Sequence, residues 1–338
     1  MNSFPFNKVS LFFAPRMKRL AMQILSACPD LFELGRVRWD HFQNEFPDFE
    51  VLDLSQVEHR DVAFLASFET PGDIFEQFGL MRVLIRNQAL TFTSIIPCDQ
   101  AATMERVPED HPGTMATEKV LLQMLSGLPQ PQIGLPRVVV YDIHQLVSRL
   151  IFGDGVLPVL RTATHLLKPE LCLIPNMAVV FPDGGAEKRF GCHFRGFDQV
   201  LCHKHRSGEE RRVTIVEGSI RGKNALIVDD ILLSCATAIS CIETLMDEGA
   251  EGVWLYGTHG RFPQSSWKKL LSVNGLRKVW ITDSFPEMAN EVVTANPNLF
   301  QVFSIAETIR IELLRGRKDI FSPINRYLVQ SEIFQGGN

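Results

Sequence analysis

Between Asn224 and Phe262 the chain reads NALIVDDILLSCATAISCIETLMDEGAEGVWLYGTHGRF, and this stretch holds the residue types that chemistry on a phosphorylated sugar requires. An apolar run with strand character ends in two adjacent carboxylates, Asp229 and Asp230, and four small residues, Ser234, Cys235, Ala236 and Thr237, then lead into a helix. Ligands of open parallel sheets lie beyond the carboxyl ends of the strands, and backbone N–H groups at a helix N-terminus hold phosphate. The carboxylate pair can accept hydrogen bonds from sugar hydroxyls while the loop holds the phosphate. The bland alternative is that Asp229 and Asp230 only cap the following helix. Three other segments say less on their own. His144 follows a strand-like run, where a histidine is most often structural; Pro182-Asp183-Gly184 is a turn signal; and the basic run with Lys204 and Arg206 reads as a solvated loop.

The elements that must position these groups follow from the pattern around them. Short β-branched and aromatic runs alternate with longer helix-periodic ones, which predicts parallel strands joined by helical crossovers and an α/β fold. In the first half, strands are predicted at 9–13, 62–67, 91–96 and 138–142, and helices at 17–27, 74–85 and 117–125. In the second half, strands are predicted at 178–181, 199–203, 213–217, 225–229, 253–257 and 279–282, and helices at 236–248 and 267–271. A length of 338 residues suits two domains. They are expected at 1–152 and 153–304, similar to each other, with a last helix at 305–314, in a segment 305–320 that packs back on the first.

Composition narrows the partners. A net charge of −5 offers no global basic surface for a nucleic-acid backbone. No apolar run reaches the roughly 18 residues of a membrane span. Seven cysteines, an odd number without CxxC spacing and mostly in apolar segments, predict buried thiols in a reducing compartment, taken as the cytoplasm. Arg16, Lys18 and Arg19 ahead of an apolar stretch give the N-terminus a superficial likeness to a targeting peptide, but the segment is read as the first strand and helix.

The run from Asn224 to Phe262 resembles the type I phosphoribosyltransferase motif of the ribose-phosphate diphosphokinases (PRPP synthetases), most clearly in Gly249, Ala250 and Thr258-His259-Gly260. Other segments fall in that family's order. Asp142 and His144 of VVVYDIHQ resemble its D-L-H segment, and Asp183, Gly184, Gly185 and Arg189 of VVFPDGGAEKRF resemble its P-D-x-G-x-x-x-R turn. Lys204 and Arg206 stand where the family has a K-x-R catalytic pair on a mobile loop. Phe46, Asp48 and Glu50 of EFPDFEVLDL resemble its F-x-D-G-E segment, with Phe49 replacing the glycine. The likeness runs from about Val9 to Leu314, and DVAFLASFETPGDIFEQF, SSWKKL and ITDS resemble the plant-type, phosphate-independent branch.

The resemblance implies transfer of a diphosphoryl group from MgATP to ribose 5-phosphate, giving phosphoribosyl diphosphate and AMP. It implies Mg²⁺ supported by His144 and Asp183, transferring charge neutralised by Lys204 and Arg206, and ribose 5-phosphate held by Asp229, Asp230 and the loop Ser234, Cys235, Ala236 and Thr237. Phe46, Asp48, Glu50 and Arg106 would reach ATP, across subunits of a homo-oligomer or of an assembly with related subunits. Two departures stand out. The family's phosphate loop reads T-G-G-T or S-G-G-T where this chain has Ser234-Cys235-Ala236-Thr237, and its R-Q-D-K-K stretch is replaced by residues 102–106, where Arg106 is the only cation. They leave room for an inactive regulatory or structural subunit. A phosphoribosyltransferase consuming phosphoribosyl diphosphate is a third reading, which does not explain the matched first half.

Overall fold

Strands buried on both faces need successive apolar side chains, not alternating ones. Val138, Val139 and Val140 in one half, and Ala225, Leu226, Ile227 and Val228 in the other, meet that need and are all buried. The computed structural model describes residues 8–321 apart from 100, 102, 105, 106, 108, 208 and 209, and gives the backbone alone at 204–207, 210–212 and 317–321. The first half runs β1 (Val9–Phe13), α1 (Lys18–Ala27), β2 (Phe32–Leu34), β3 (Val37–Arg38), β4 (Glu50–Val51), β5 (Asp61–Leu65), α2 (Pro71–Arg86), β6 (Thr91–Ile96), α3 (Thr117–Ser126), β7 (Arg137–Tyr141) and β8 (Leu157–Arg161). It continues through α4 (Lys168–Leu171), β9 (Met177–Phe181), α5 (Gly184–Phe190), β10 (Asp198–Ser207), β11 (Glu210–Glu217), β12 (Asn224–Leu232) and α6 (Ala236–Asp247). Then come β13 (Gly252–Gly260), β14 (Leu276–Thr282), α7 (Pro286–Ala295), β15 (Phe300–Phe303) and α8 (Ala306–Phe321).

Two helix-flanked sheets result. One has the order β2-β1-β5-β6-β7-β8 with every pairing parallel. The other has the order β11-β10-β9-β12-β13-β14-β15, parallel except for β10 with β11. Strands β3 and β4 form a small antiparallel ribbon. Local chemistry sets the helix ends: Thr70 and Asp73 form a reciprocal capping box at the start of α2, with Pro71 in its first turn.

Several elements differ from the sequence-based expectation. The basic run expected as a loop belongs to a hairpin, because β10 and β11 pair with Lys204 opposite Val213 and Arg206 opposite Arg211. Strand β8 contains Pro158, which an edge strand tolerates, and it carries the first sheet to Arg161, beyond residue 152. Segment 267–271 lies in a 3₁₀ stretch, Pro263–Ser272, whose Gln264 and Ser265 are left-handed at φ 54° and 55°. Of the cysteines, Cys98, Cys202, Cys235 and Cys241 are buried and Cys28 is half-buried, but Cys172 and Cys192 are exposed beside short helical turns. Among the described residues, no helix is long and apolar enough to cross a membrane.

Helix α8 returns to the first sheet, where Ile309 and Leu313 join its core. Its Glu312, only 2% exposed, accepts hydrogen bonds from Arg137 of β7 and Arg161 of β8. Removing one partner from such a buried group leaves uncompensated charge, a loss of about 3–5 kcal/mol. We expect Glu312→Gln to lower unfolding stability on that scale in urea titrations. A loss under about 1 kcal/mol, the scale of a surface pair, would show that the triad does not anchor α8.

Candidate functional site

The carboxyl ends of the two sheets meet. Asp142, just past β7, takes a left-handed φ of 40°, a conformation that Asp enters more readily than most residues. Its Oδ2 accepts from Thr258 Oγ1 of β13 at 2.7 Å and from Ala163 N at 2.9 Å. Beside it, the buried His259 reaches the Tyr141 carbonyl through Nε2 at 3.1 Å and Ser284 Oγ through Nδ1 at 2.9 Å. Burial lowers the pKa of His259 and favours the neutral ring, which donates from Nε2 to the carbonyl. These contacts fix the end of β7 against β13.

His144 follows two residues later, and its Nδ1 lies 2.8 Å from Asp230 Oδ2. Asp230 is buried near the end of β12, the strand between β9 and β13. Arg189, from the end of α5, donates to the His144 carbonyl, to Asp230 Oδ1 at 2.6 Å and, at 3.5 Å, to Asp229 Oδ1. Asp183 begins that same helix, its Oδ1 accepting from Ala186 N at 2.9 Å. The electrostatics of the neighbouring carboxylates diverge. Burial and the adjoining Asp230 charge push Asp229 well above the ordinary carboxylate range, with Asp183 adding to the effect. Burial acts against ionised Asp230 too, but His144 and Arg189 outweigh it and hold that carboxyl well below the usual range.

Neither aspartate caps α6, because β12 continues past both to Leu232 and the helix N-cap is Cys235. Cys235 is left-handed, φ 61°, and makes no side-chain cap. Its thiol is buried, which raises its pKa to about 11. The turn after β13 braces this loop: Arg261 N and Phe262 N bond the Leu232 carbonyl at 3.1 Å, and Ser266 Oγ bonds that of Leu233. Ser234 is exposed, and Ala236 and Thr237 are half-buried in the loop and first helical turn.

The structure thus brings His144, Asp183, Asp229 and Asp230 together around α5 and the end of β12. Lys204 and Arg206 lie on β10, their side chains outside the described residues, and Arg106 lies outside them altogether. Phe46, Asp48 and Glu50 lie elsewhere, on and beside the β3–β4 ribbon. The 59% exposed Phe46 stacks edge-on against Phe75, Asp48 N bonds the Asp40 carbonyl, and Glu50 pairs with Arg38. Among the described residues, no group of three or more His, Cys, Asp or Glu forms a metal cage. One residue beside the site was not anticipated. Asp99 is buried past β6, its Oδ2 has no hydrogen-bond partner among the described residues, and burial raises its pKa to about 6. A charge directly after Ile95-Ile96-Pro97-Cys98 was the available signal.

A family model described as the phosphoribosyl synthetase-associated domain matches residues 198–312. The chain is 38% identical over 310 residues to ribose-phosphate pyrophosphokinase 3, chloroplastic, of Oryza sativa subsp. japonica, covering 89% of this chain and 75% of the relative. It is 36% identical over 322 residues to ribose-phosphate pyrophosphokinase 3, mitochondrial, of Spinacia oleracea, covering 92% and 78%. A phosphoribosylpyrophosphate synthetase from Mycobacterium smegmatis shares the fold, with a TM-score of 0.75 at 22% identity over 93% of this chain and 100% of that one.

The opposite shifts of the two carboxyls give opposite expectations. A raised acid pKa means that the folded state binds more protons than the unfolded one, so Asp229 loses stability as pH rises above the ordinary carboxylate value. Asp230 is depressed, so its contribution is present above that value and lost as pH falls below it. At neutral pH, Asp229→Asn should therefore raise the thermal midpoint and Asp230→Asn should lower it. Shifts of the same sign in both variants would contradict this electrostatic account.

Proposed function

The chain belongs to the ribose-phosphate pyrophosphokinase family, and on that premise we propose that it transfers the diphosphoryl group of MgATP to ribose 5-phosphate, releasing AMP. The observation that carries the proposal is the junction at the carboxyl ends of both sheets, where an imidazole, a guanidinium and two carboxylates converge ahead of a helix N-terminus. Parallel α/β sheets bind ligands at such ends.

In this reading, Asp229 and Asp230 accept hydrogen bonds from the ribose hydroxyls, and the 5-phosphate lies on the loop Ser234–Thr237 at the N-terminus of α6. The anomeric hydroxyl then attacks the β-phosphorus of ATP and AMP leaves. Lys204 and Arg206 neutralise charge on the transferring oxygens, the step at which fixed cations lower a phosphoryl-transfer barrier most. His144 and Asp183 would hold Mg²⁺. The donor chemistry fits such an ion in part, because Mg²⁺ is commonly held by one or two carboxylates together with waters and substrate phosphates, and Asp183 is a carboxylate at the start of α5. When bound, Mg²⁺ would neutralise the triphosphate. Phe46, Asp48, Glu50 and Arg106 would serve a neighbouring subunit's nucleotide in a homo-oligomer, placed in the cytoplasm. The oligomer is supported by Phe42, Phe46 and Phe75, each more than half exposed, with Phe46 against Phe75 and its carbonyl bonded by Phe42 N.

The left-handed Cys235 is the observation that favours a second reading, a subunit without activity. Non-glycine residues enter that region at roughly 1–2 kcal/mol, and the relatives' glycine, implied by resemblance, removes the penalty. Only position 235 has this requirement, because Ala236 already belongs to α6.

Two kinetic tests follow. Lys204→Ala should reduce turnover on the order of 10²- to 10³-fold while ATP affinity stays nearly constant; unchanged turnover in an active protein would remove Lys204 from the mechanism. Cys235→Gly should lower the Michaelis constant for ribose 5-phosphate several-fold, or reveal activity in a silent protein, whereas Ala236→Gly should not. If neither glycine changes ribose 5-phosphate kinetics and nucleotide fails to bind, the inactive-subunit reading replaces this one.

A further inference from the structure

We infer that Arg189 is the positioning residue of this site: its guanidinium fixes the imidazole carried by the first sheet relative to the carboxylate pair carried by the second. The inference rests on the functional reading above, and its geometry stands independently. Three acceptors from two sheets converge on one side chain that is 10% exposed: the His144 carbonyl, Asp230 Oδ1 and Asp229 Oδ1. A guanidinium presents its donors in a rigid planar fork, so meeting three acceptors at once defines where each must lie. An ammonium is a point charge on a flexible stem and defines no such plane.

The surroundings hold the fork in turn. The ring of Phe190 lies 5.5 Å from the guanidinium carbon. At Gly185, a Cβ would fall 3.1 Å from Asp183 Oδ1 and 3.5 Å from Arg189 Nη1, so the absent side chain leaves room for the helix-capping carboxylate and the guanidinium on the same face of α5. One short helix thereby carries Asp183 at its start and, through Arg189 near its end, fixes His144, Asp229 and Asp230. A role in stability alone predicts a different arrangement. The buried Arg189 Nε has no hydrogen-bond partner among the described residues, and an orphaned buried donor is a destabilising feature that an apolar residue of similar volume would not have. Residues that break local satisfaction in this way concentrate at functional sites.

The test uses the full-length protein with Arg189→Lys, Arg189→Met and Arg189→Ala. Misplacing reacting groups by about 1 Å can reduce turnover on the order of 10²-fold. Arg189→Met should show a loss of that size with both Michaelis constants little changed, and Arg189→Lys should fail to restore it. Guanidinium ion added to Arg189→Ala should recover part of the turnover where ammonium does not. Amide hydrogen exchange provides a readout that needs no activity: in Arg189→Met, exchange should accelerate together in segments 142–146 and 229–233, which lie on different sheets. A silent wild-type protein would contradict the functional reading, while joint acceleration of the two segments would still uphold the clamp. Wild-type turnover in Arg189→Lys, or exchange that changes in one segment only or in neither, would overturn it.

Discussion

Two adjacent carboxylates on a central strand cannot both stay ionised at a buried junction unless positive charge is fixed against them. Asp229 and Asp230 occupy that position near the end of β12, with β9 on one side and β13 on the other. Arg189 and His144 meet the demand mainly at Asp230, and Asp229 is left with its ionised form disfavoured. Because the two counter-groups come from α5 and from the turn after β7, satisfying the carboxylates also sets how the sheets approach each other. Asp142, Thr258 and His259 then lock the approach with a layer of short buried hydrogen bonds. The polar contacts of the junction are therefore its specificity, while the apolar cores on either side supply stability.

Backbone strain gathers near the same place. Cys235, Phe262, Gln264 and Ser265 all have left-handed φ values between 44° and 61°, and all lie in the turns just past β12 and β13. Strained residues persist where surrounding structure over-determines them, and they cluster at ligand-holding sites. Here the surrounding bonds are visible: the Leu232 carbonyl takes two N–H groups from the turn after β13, and the Leu233 carbonyl takes the Ser266 hydroxyl. The loop ahead of α6 is thus shaped by its neighbours despite lacking the glycines that would make the shape easy.

The sequence showed its long, strongly patterned pieces best. Val9–Phe13 and Thr91–Ile96 could be bounded from residue types because every position except Ser10 and Ser94 is apolar or β-branched. Strand β8 was hidden by Pro158 and α5 by its two leading glycines, each of which reads as a break when the partner strand or cap is unseen. The candidate site was half legible. Asp229 and Asp230 stood out from the local pattern of a strand end ahead of a small-residue loop, whereas His144 and Asp183 were singled out only through the family resemblance. That Asp230 binds His144 across 86 positions, and that Arg189 joins them, depends on the approach of two sheets, which no window of sequence contains. Asp99 escaped because its burial and its nearness to His144 arise only once β6 and β7 lie side by side, while its hydrogen bond from Ala101 N is local.

In the proposed reaction a diphosphoryl group moves intact from nucleotide to sugar. The most direct measurement supplies the protein with ATP labelled at the β-phosphorus, together with Mg²⁺ and ribose 5-phosphate, and follows the label. The account predicts that the label passes into the sugar product while AMP accumulates unlabelled in equal amount. Label appearing in ADP, or remaining in ATP while the sugar is unchanged, would contradict it.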